Sequence, residues 1–236
     1  MIIEKKYDDL LVLKLPHLQM HKNYLPHIGK NFEKASQRIM IVAESHYISS
    51  EFNDLINVDN WYKEPEGIYD TIGEIKGWFD TRGVLANYLY NRKSKGGLSI
   101  FYNLEKAFRN VFEDSDLFNE CVYINYYQRP SEREGDSIKV NPYDSKIALE
   151  NILILIDVLK LDKVIFVSSK AYNDFKSKTT KDERESLPYI GAVPHPSASS
   201  WWNRKSTKYG LNGSEATGKE KFERIIKPKV ENAETI

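Results

Sequence analysis

Four short apolar runs, each rich in β-branched residues and bounded by polar or turn-forming segments, limit what this chain can fold into. They are RIMIVA (38–43), CVYINYY (121–127), KVIFVSS (163–169) and YIGAVPH (189–195). Runs of this length and composition read as buried strands. Between the second and third, NPYDSKIALENILILIDVLKL carries Ile147, Ile152, Leu155, Ile156 and Leu159 at helical spacing, after a cap expected from Asp144 or Ser145. Strand, helix and strand in that order form a crossover unit, which implies parallel pairing with a right-handed connection. Further helices are expected in LSIFYNLEKAFRNVF, in SSKAYNDFKSK and in EKFERIIKPK, the last stopped by Pro228, whereas WYKEPEGIYDTIGEIKGWFD (61–80) reads as loop with short helices. The expected fold is a three-layer α/β/α sandwich around a central four-stranded, mainly parallel sheet, in a single domain over residues 1–236.

Composition narrows the chemistry. One cysteine, Cys121, rules out an intramolecular disulfide and cysteine-rich zinc or iron-sulfur sites built from this chain alone, and it fits a reducing compartment. The opening MIIEKKYDDLLVLKL has no apolar run of signal-peptide length and no later segment approaches a membrane span, so a cytoplasmic protein without a membrane partner is expected. Formal net charge is zero, so the whole chain is no non-specific nucleic-acid coat. Lys and Arg nevertheless outnumber Glu from Trp201 onward, which leaves two readings open: a local basic surface, or the polar face of an amphipathic C-terminal helix. KDERE (181–185) is charge-balanced and reads as a solvated face.

In open parallel sheets ligands bind beyond the carboxyl ends of the strands. That rule singles out AESHY (43–47) after the first run, Asn125 with YYQRP at the second, SSKAY at the third and HPSASSWW at the fourth. Each holds polar or aromatic groups at a strand end.

In this order the four segments resemble the uracil-DNA glycosylase superfamily. MIVAESHY sits where that superfamily has an apolar strand ending in its first motif, VYINYYQRP is similar to the strand whose Asn recognises the flipped base, KVIFVSSKAY to the strand and helix start that follow, and VPHPSASS to the His-Pro-Ser motif. The resemblance spans roughly residues 38–205, with little from 48–120. It implies a DNA glycosylase that flips a base into a pocket and hydrolyses its N-glycosidic bond, acting as a monomer on duplex or single-stranded DNA, with no metal or organic cofactor.

The chemistry asks for these residue types. Glycosidic cleavage passes through a sugar with oxocarbenium character while negative charge builds on the departing base. His195, between Pro194 and Pro196, suits the role of a fixed donor to the base oxygen. Asn125 offers the acceptor and donors that read a pyrimidine edge. Tyr47 is expected to wall the pocket, and Tyr69, Trp78 or Phe79 to stack on the base. Ser45 stands where the best-known branch has its water-activating Asp, His46 where a Pro is usual and Ala43 where a Gly is usual; Glu44 occupies the place of another branch's Glu. Water is therefore assigned to Ser45, His46 or Glu44. Ser197 and Ser199 belong to the loop that enters DNA. Ser199 is too small to wedge, which passes that role to Trp201 or Trp202, with Arg204, Lys205 and Lys208 against phosphates. Two alternatives accompany this reading: a base-sensing module that does not cut, and a hydrolase using Ser45 with His46 or His195, though no Gly-x-Ser-x-Gly elbow is present.

Overall fold

The computed structural model describes residues 3–48, 50–63, 68–72, 79–92, 98–133 and 135–228, with the side chains of Asp70, Ile72 and Ser199 outside the description. Along the chain, α1 (Asp8–Lys14) and α2 (His17–Met20) precede β1 (His27–Ile28) and β2 (Ile39–Ala43). Between β2 and β3 (Val122–Asn125) run α3 (Val58–Lys63), α4 (Ile68–Ile72), α5 (Thr81–Asn91), α6 (Ser99–Arg109) and α7 (Leu117–Glu120). The helix α8 (Pro142–Leu159) leads to β4 (Lys163–Phe166), α9 (Ser169–Lys178) and α10 (Lys181–Ser186) to β5 (Tyr189–Ala192), and α11 (Ser199–Asn203) and α12 (Gly218–Ile226) follow.

The four expected strands pair in parallel, and a fifth, β1, is added at one edge. The order is β1-β3-β2-β4-β5, with only β1 antiparallel. The expected four-stranded sheet is thus corrected to five; β1 has two residues, too few for any periodicity to register. Successive side chains of a strand point to opposite faces. Met40 and Val42 accordingly pack with α8, α9 and the N-terminal helices, while Ile39, Ile41 and Ala43 pack with α5, α6, α7 and α12. Helices therefore cover both faces, which is why the strands are apolar throughout.

The helix α8 begins where Pro142 follows Asn141, whose side chain accepts from Tyr143 N–H at 2.9 Å while Asp144 accepts from Asn141 N–H at 3.0 Å. The cap is Asn141, and Asp144 is its capping-box partner; Ser145 lies inside the helix. Asp144 also receives a two-pronged bond from Arg129, at 3.0 and 2.9 Å, with both groups buried. The Arg of YYQRP is therefore a structural clamp between the β3 exit and α8. Removing one partner of such a pair costs about 3–5 kcal/mol. KDERE lies in α10, none of it buried, and no helix among the described residues is long and apolar enough to cross a membrane.

Candidate active site

Register brings the four strand ends to one level. Ala43 lies beside Asn125, Val42 beside Phe166, and Phe166 beside Ala192. The ladder continues one step past the strands, with Tyr126 N–H donating to Ala43 O at 3.1 Å, Val167 N–H to Val42 O at 2.8 Å and Val193 N–H to Phe166 O at 2.9 Å. The four segments leave the sheet together, and they surround a cleft of ≈ 850 Å³. Glu44, Ser45, His46, Tyr47, Asn125 and His195 all line it, joined by Ser197, Trp201 and Lys208. Such a volume falls within the roughly 300–1,000 Å³ of small-molecule sites.

Asn125 ends β3 with only 4% of its surface exposed, and its side-chain amide has no hydrogen-bond partner among the described residues. The amide is not one of the buried polar atoms left without a partner, so it is open to the cleft that Asn125 lines. Its backbone carbonyl is held by Gln128 Nε2 at 2.6 Å. His195, which lines the same cleft, accepts the backbone N–H of Ser197 on Nδ1 at 3.2 Å. In the neutral ring the proton then resides on Nε2, which is left as a donor. The His195 side chain is exposed within the cleft, but the walls withdraw enough water to hold its pKa below the ordinary 6.5, against the upward pull of the Glu44 carboxylate.

The His195 loop is gripped from residues that the sequence reading did not single out. Asn103 on α6 donates to Pro196 O at 2.9 Å, and the Ser99 hydroxyl bonds Ser197 Oγ at 2.8 Å. Gly218 at the start of α12 abuts Pro194, where a Cβ would meet Pro194 Cγ at 2.2 Å. No short-range signal exposes these contacts, since each joins segments far apart in sequence.

The AESHY segment places the Glu44 carboxylate at the cleft. Its oxygens accept from the hydroxyls of Ser137 and of Ser168, the latter at 2.7 Å. His46 is buried, with Nε2 3.0 Å from Thr81 Oγ1 and its ring edge-on to Tyr24. Tyr47 forms a backbone bridge to Ser131. Ser45 is half-buried.

The aromatic candidates separate. Phe79 is wholly buried in the core on the α8 side and Tyr69 donates its hydroxyl to His21 Nδ1 at 2.7 Å; neither lines the cleft, and Trp78 lies outside the described residues. The apolar wall is formed instead by Phe101 and Tyr123, ring centroids 5.0 Å apart, with Ile100 and Leu98. Trp202 is 2% exposed and packs on Phe222 of α12, so it is core; Trp201 is 57% exposed at the cleft rim. Arg204 and Lys205 are exposed and make no ion pair among the described residues. Ser199 opens α11, its side chain outside the described ones. Among the described residues no group of three or more His, Cys, Asp or Glu is arranged to hold a metal ion.

No known protein family matches the chain, and no curated protein matches it.

Proposed function

We propose that this protein flips a base out of DNA and hydrolyses its N-glycosidic bond, as a divergent glycosylase of the uracil-DNA glycosylase kind. One observation carries the reading: Asn125, whose amide bonds no other described residue, and His195, whose Nε2 is left as a donor, line the same cleft. An amide that supplies both donor and acceptor suits a pyrimidine edge. As the C1′–N bond breaks, its electron pair moves onto the base, and His195 donates to the oxygen where that charge collects. A single such donor is worth about 2.7–4 kcal/mol in the transition state. Glu44 supplies the negative charge that favours the cationic sugar and accepts a proton from the water that attacks C1′. It takes the part left empty by Ser45. Phe101 and Tyr47 flank the base, Trp201 fills its place in the duplex, and Arg204, Lys205 and Lys208 meet phosphates.

The serine-hydrolase alternative gains no support from His195, whose Nδ1 accepts a backbone N–H, so that in the neutral ring Nε2 carries the proton and cannot take one from a serine hydroxyl. Because the carboxylate comes from Glu44, one residue away from the usual position, plain uracil is expected to be released more slowly than some modified pyrimidine. The test is incubation of the purified protein with DNAs containing uracil, hypoxanthine, or hydroxymethylated or glucosylated cytosine, with abasic sites revealed by alkali. Release from one or more supports the reading; intact DNA throughout, with retained binding, points to a base-sensing module.

A further inference from the structure

We propose that Ser137, held by Lys170, is a positioning residue that fixes the Glu44 carboxylate toward the cleft; the inference rests on Glu44 serving the reaction proposed above. Proton bookkeeping supports it. Lys170 Nζ, which has no acceptor capacity, donates to Ser137 Oγ at 3.3 Å, so the Ser137 hydroxyl hydrogen is left to donate to Glu44 Oε1. On the other side Ala171 N–H donates to Ser168 Oγ at 3.2 Å as the cap of α9, and the Ser168 hydroxyl hydrogen goes to Glu44 Oε2 at 2.7 Å. Each hydroxyl is thereby oriented as a donor, and each carboxylate oxygen keeps a lone pair for water.

Lys170 also donates to Ile138 O, which ties the loop carrying Ser137 to the start of α9. Gly135, at φ +77° in that loop, takes a backbone conformation that glycine favours, two residues before Ser137. One carboxylate thus joins three segments: the exits of β2 and β4 and the loop that follows β3. Lys170 lies in the SSKAY segment at the β4 exit, whereas Ser137 lies outside the four segment ends that the strand pattern marks.

The test uses the full chain and Glu44→Gln, Ser137→Ala, Ser137→Thr and Lys170→Met. Besides the tyrosines, the charged and titratable groups sharing the cleft with His195 are Glu44, His46, Asp136, Lys170 and Lys208, so the neutral substitution at Ser137 is the decisive one. NMR titration of the His195 ring reports the Glu44 carboxylate without any substrate. Glu44→Gln should lower the midpoint, Ser137→Ala should lower it part of the way, and Ser137→Thr should restore it. On a DNA that is cut, Ser137→Ala should slow single-turnover release at saturating DNA about three- to tenfold, with Kd unchanged. Lys170→Met should slow the saturated rate; a raised Kd with an unchanged saturated rate would make Lys170 a phosphate contact and remove it from the relay. A wild-type midpoint in folded Ser137→Ala overturns the inference whatever the rates do. Failure of the wild-type protein to release any base sinks the glycosylase reading alone, because the titration still decides this one.

Discussion

The backbone N–H of Ser197 points at Nδ1 of His195, 3.2 Å away, so the His-Pro-Ser turn selects the tautomer of its own histidine. The ring is left with one hydrogen, on Nε2, directed to the cleft that Asn125 also lines. A proton added at low pH must enter at Nδ1 and break the turn's bond.

That proton sets an acid limb. Desolvation holds His195 below its ordinary value of 6.5 and Glu44 opposes this, so base release should be constant near neutrality and fall only as pH drops through the depressed pKa. Glu44→Gln removes the upward pull, so the limb should move to lower pH while the plateau rate falls. His195→Ala should lower the plateau about a hundredfold or more without loss of thermal stability. Single-turnover rates from pH 4.5 to 8 measure all three; a limb that shifts upward in Glu44→Gln contradicts the assignment.

The adjacent tryptophans should behave differently. Trp201→Ala should weaken action on duplex DNA more than on single strands, where no space is left to fill, with little effect on stability. Trp202→Ala opens the core beneath α12 and should cost about 3–5 kcal/mol in urea unfolding. Charge reversal at Arg204 and Lys205 should weaken binding to all sequences alike and flatten its salt dependence. Equal losses on both DNA forms for Trp201→Ala would argue against a wedge.

Base choice should follow Asn125. Its amide has no partner to lose, so Asn125→Asp leaves the fold intact but turns a donor into an acceptor. The expected outcome is a change in which base is released, read on the same DNA panel. An unchanged preference would place recognition elsewhere in the cleft.

Stability should decline in acid before the carboxylates titrate. Burial holds His17, His21 and His27 at about 4 against an ordinary 6.5. Between those values the unfolded chain binds protons that the native state refuses, so stability is fully present above 6.5 and is lost as pH falls toward 4. The loss is on the order of 3 kcal/mol per histidine at most. Urea midpoints at pH 7, 5.5 and 4.5 measure it, and His27→Gln should flatten the slope.

Gly218→Ala should impair catalysis from outside the cleft. The new methyl drives Pro194 away from α12, and His195 follows in the chain. Single-turnover release should fall while DNA binding, measured by anisotropy, is retained.

The sequence by itself determined the four parallel strands, the crossover α8, and the helices α6, α9 and α12. It also marked the strand ends as the place of the candidate site. These signals are local: an apolar β-branched run has to be buried whatever covers it, and a helical stripe repeats within a few residues. The tertiary structure alone decided the rest. It added β1, whose two residues carry no period, and it moved the α8 cap to Asn141, just before Pro142, leaving Asp144 as the capping-box partner that Arg129 also holds. It separated Trp201 from Trp202, because neighbours on a helix turn point about 100° apart and only one faces the sheet. It drew Phe79 into the core and set Phe101 at the cleft in its stead. The grips of Ser99, Asn103, Ser137 and Lys170 depend on strand register, which levels loops that lie many residues apart, and a level set by pairing is a property of no single stretch of chain.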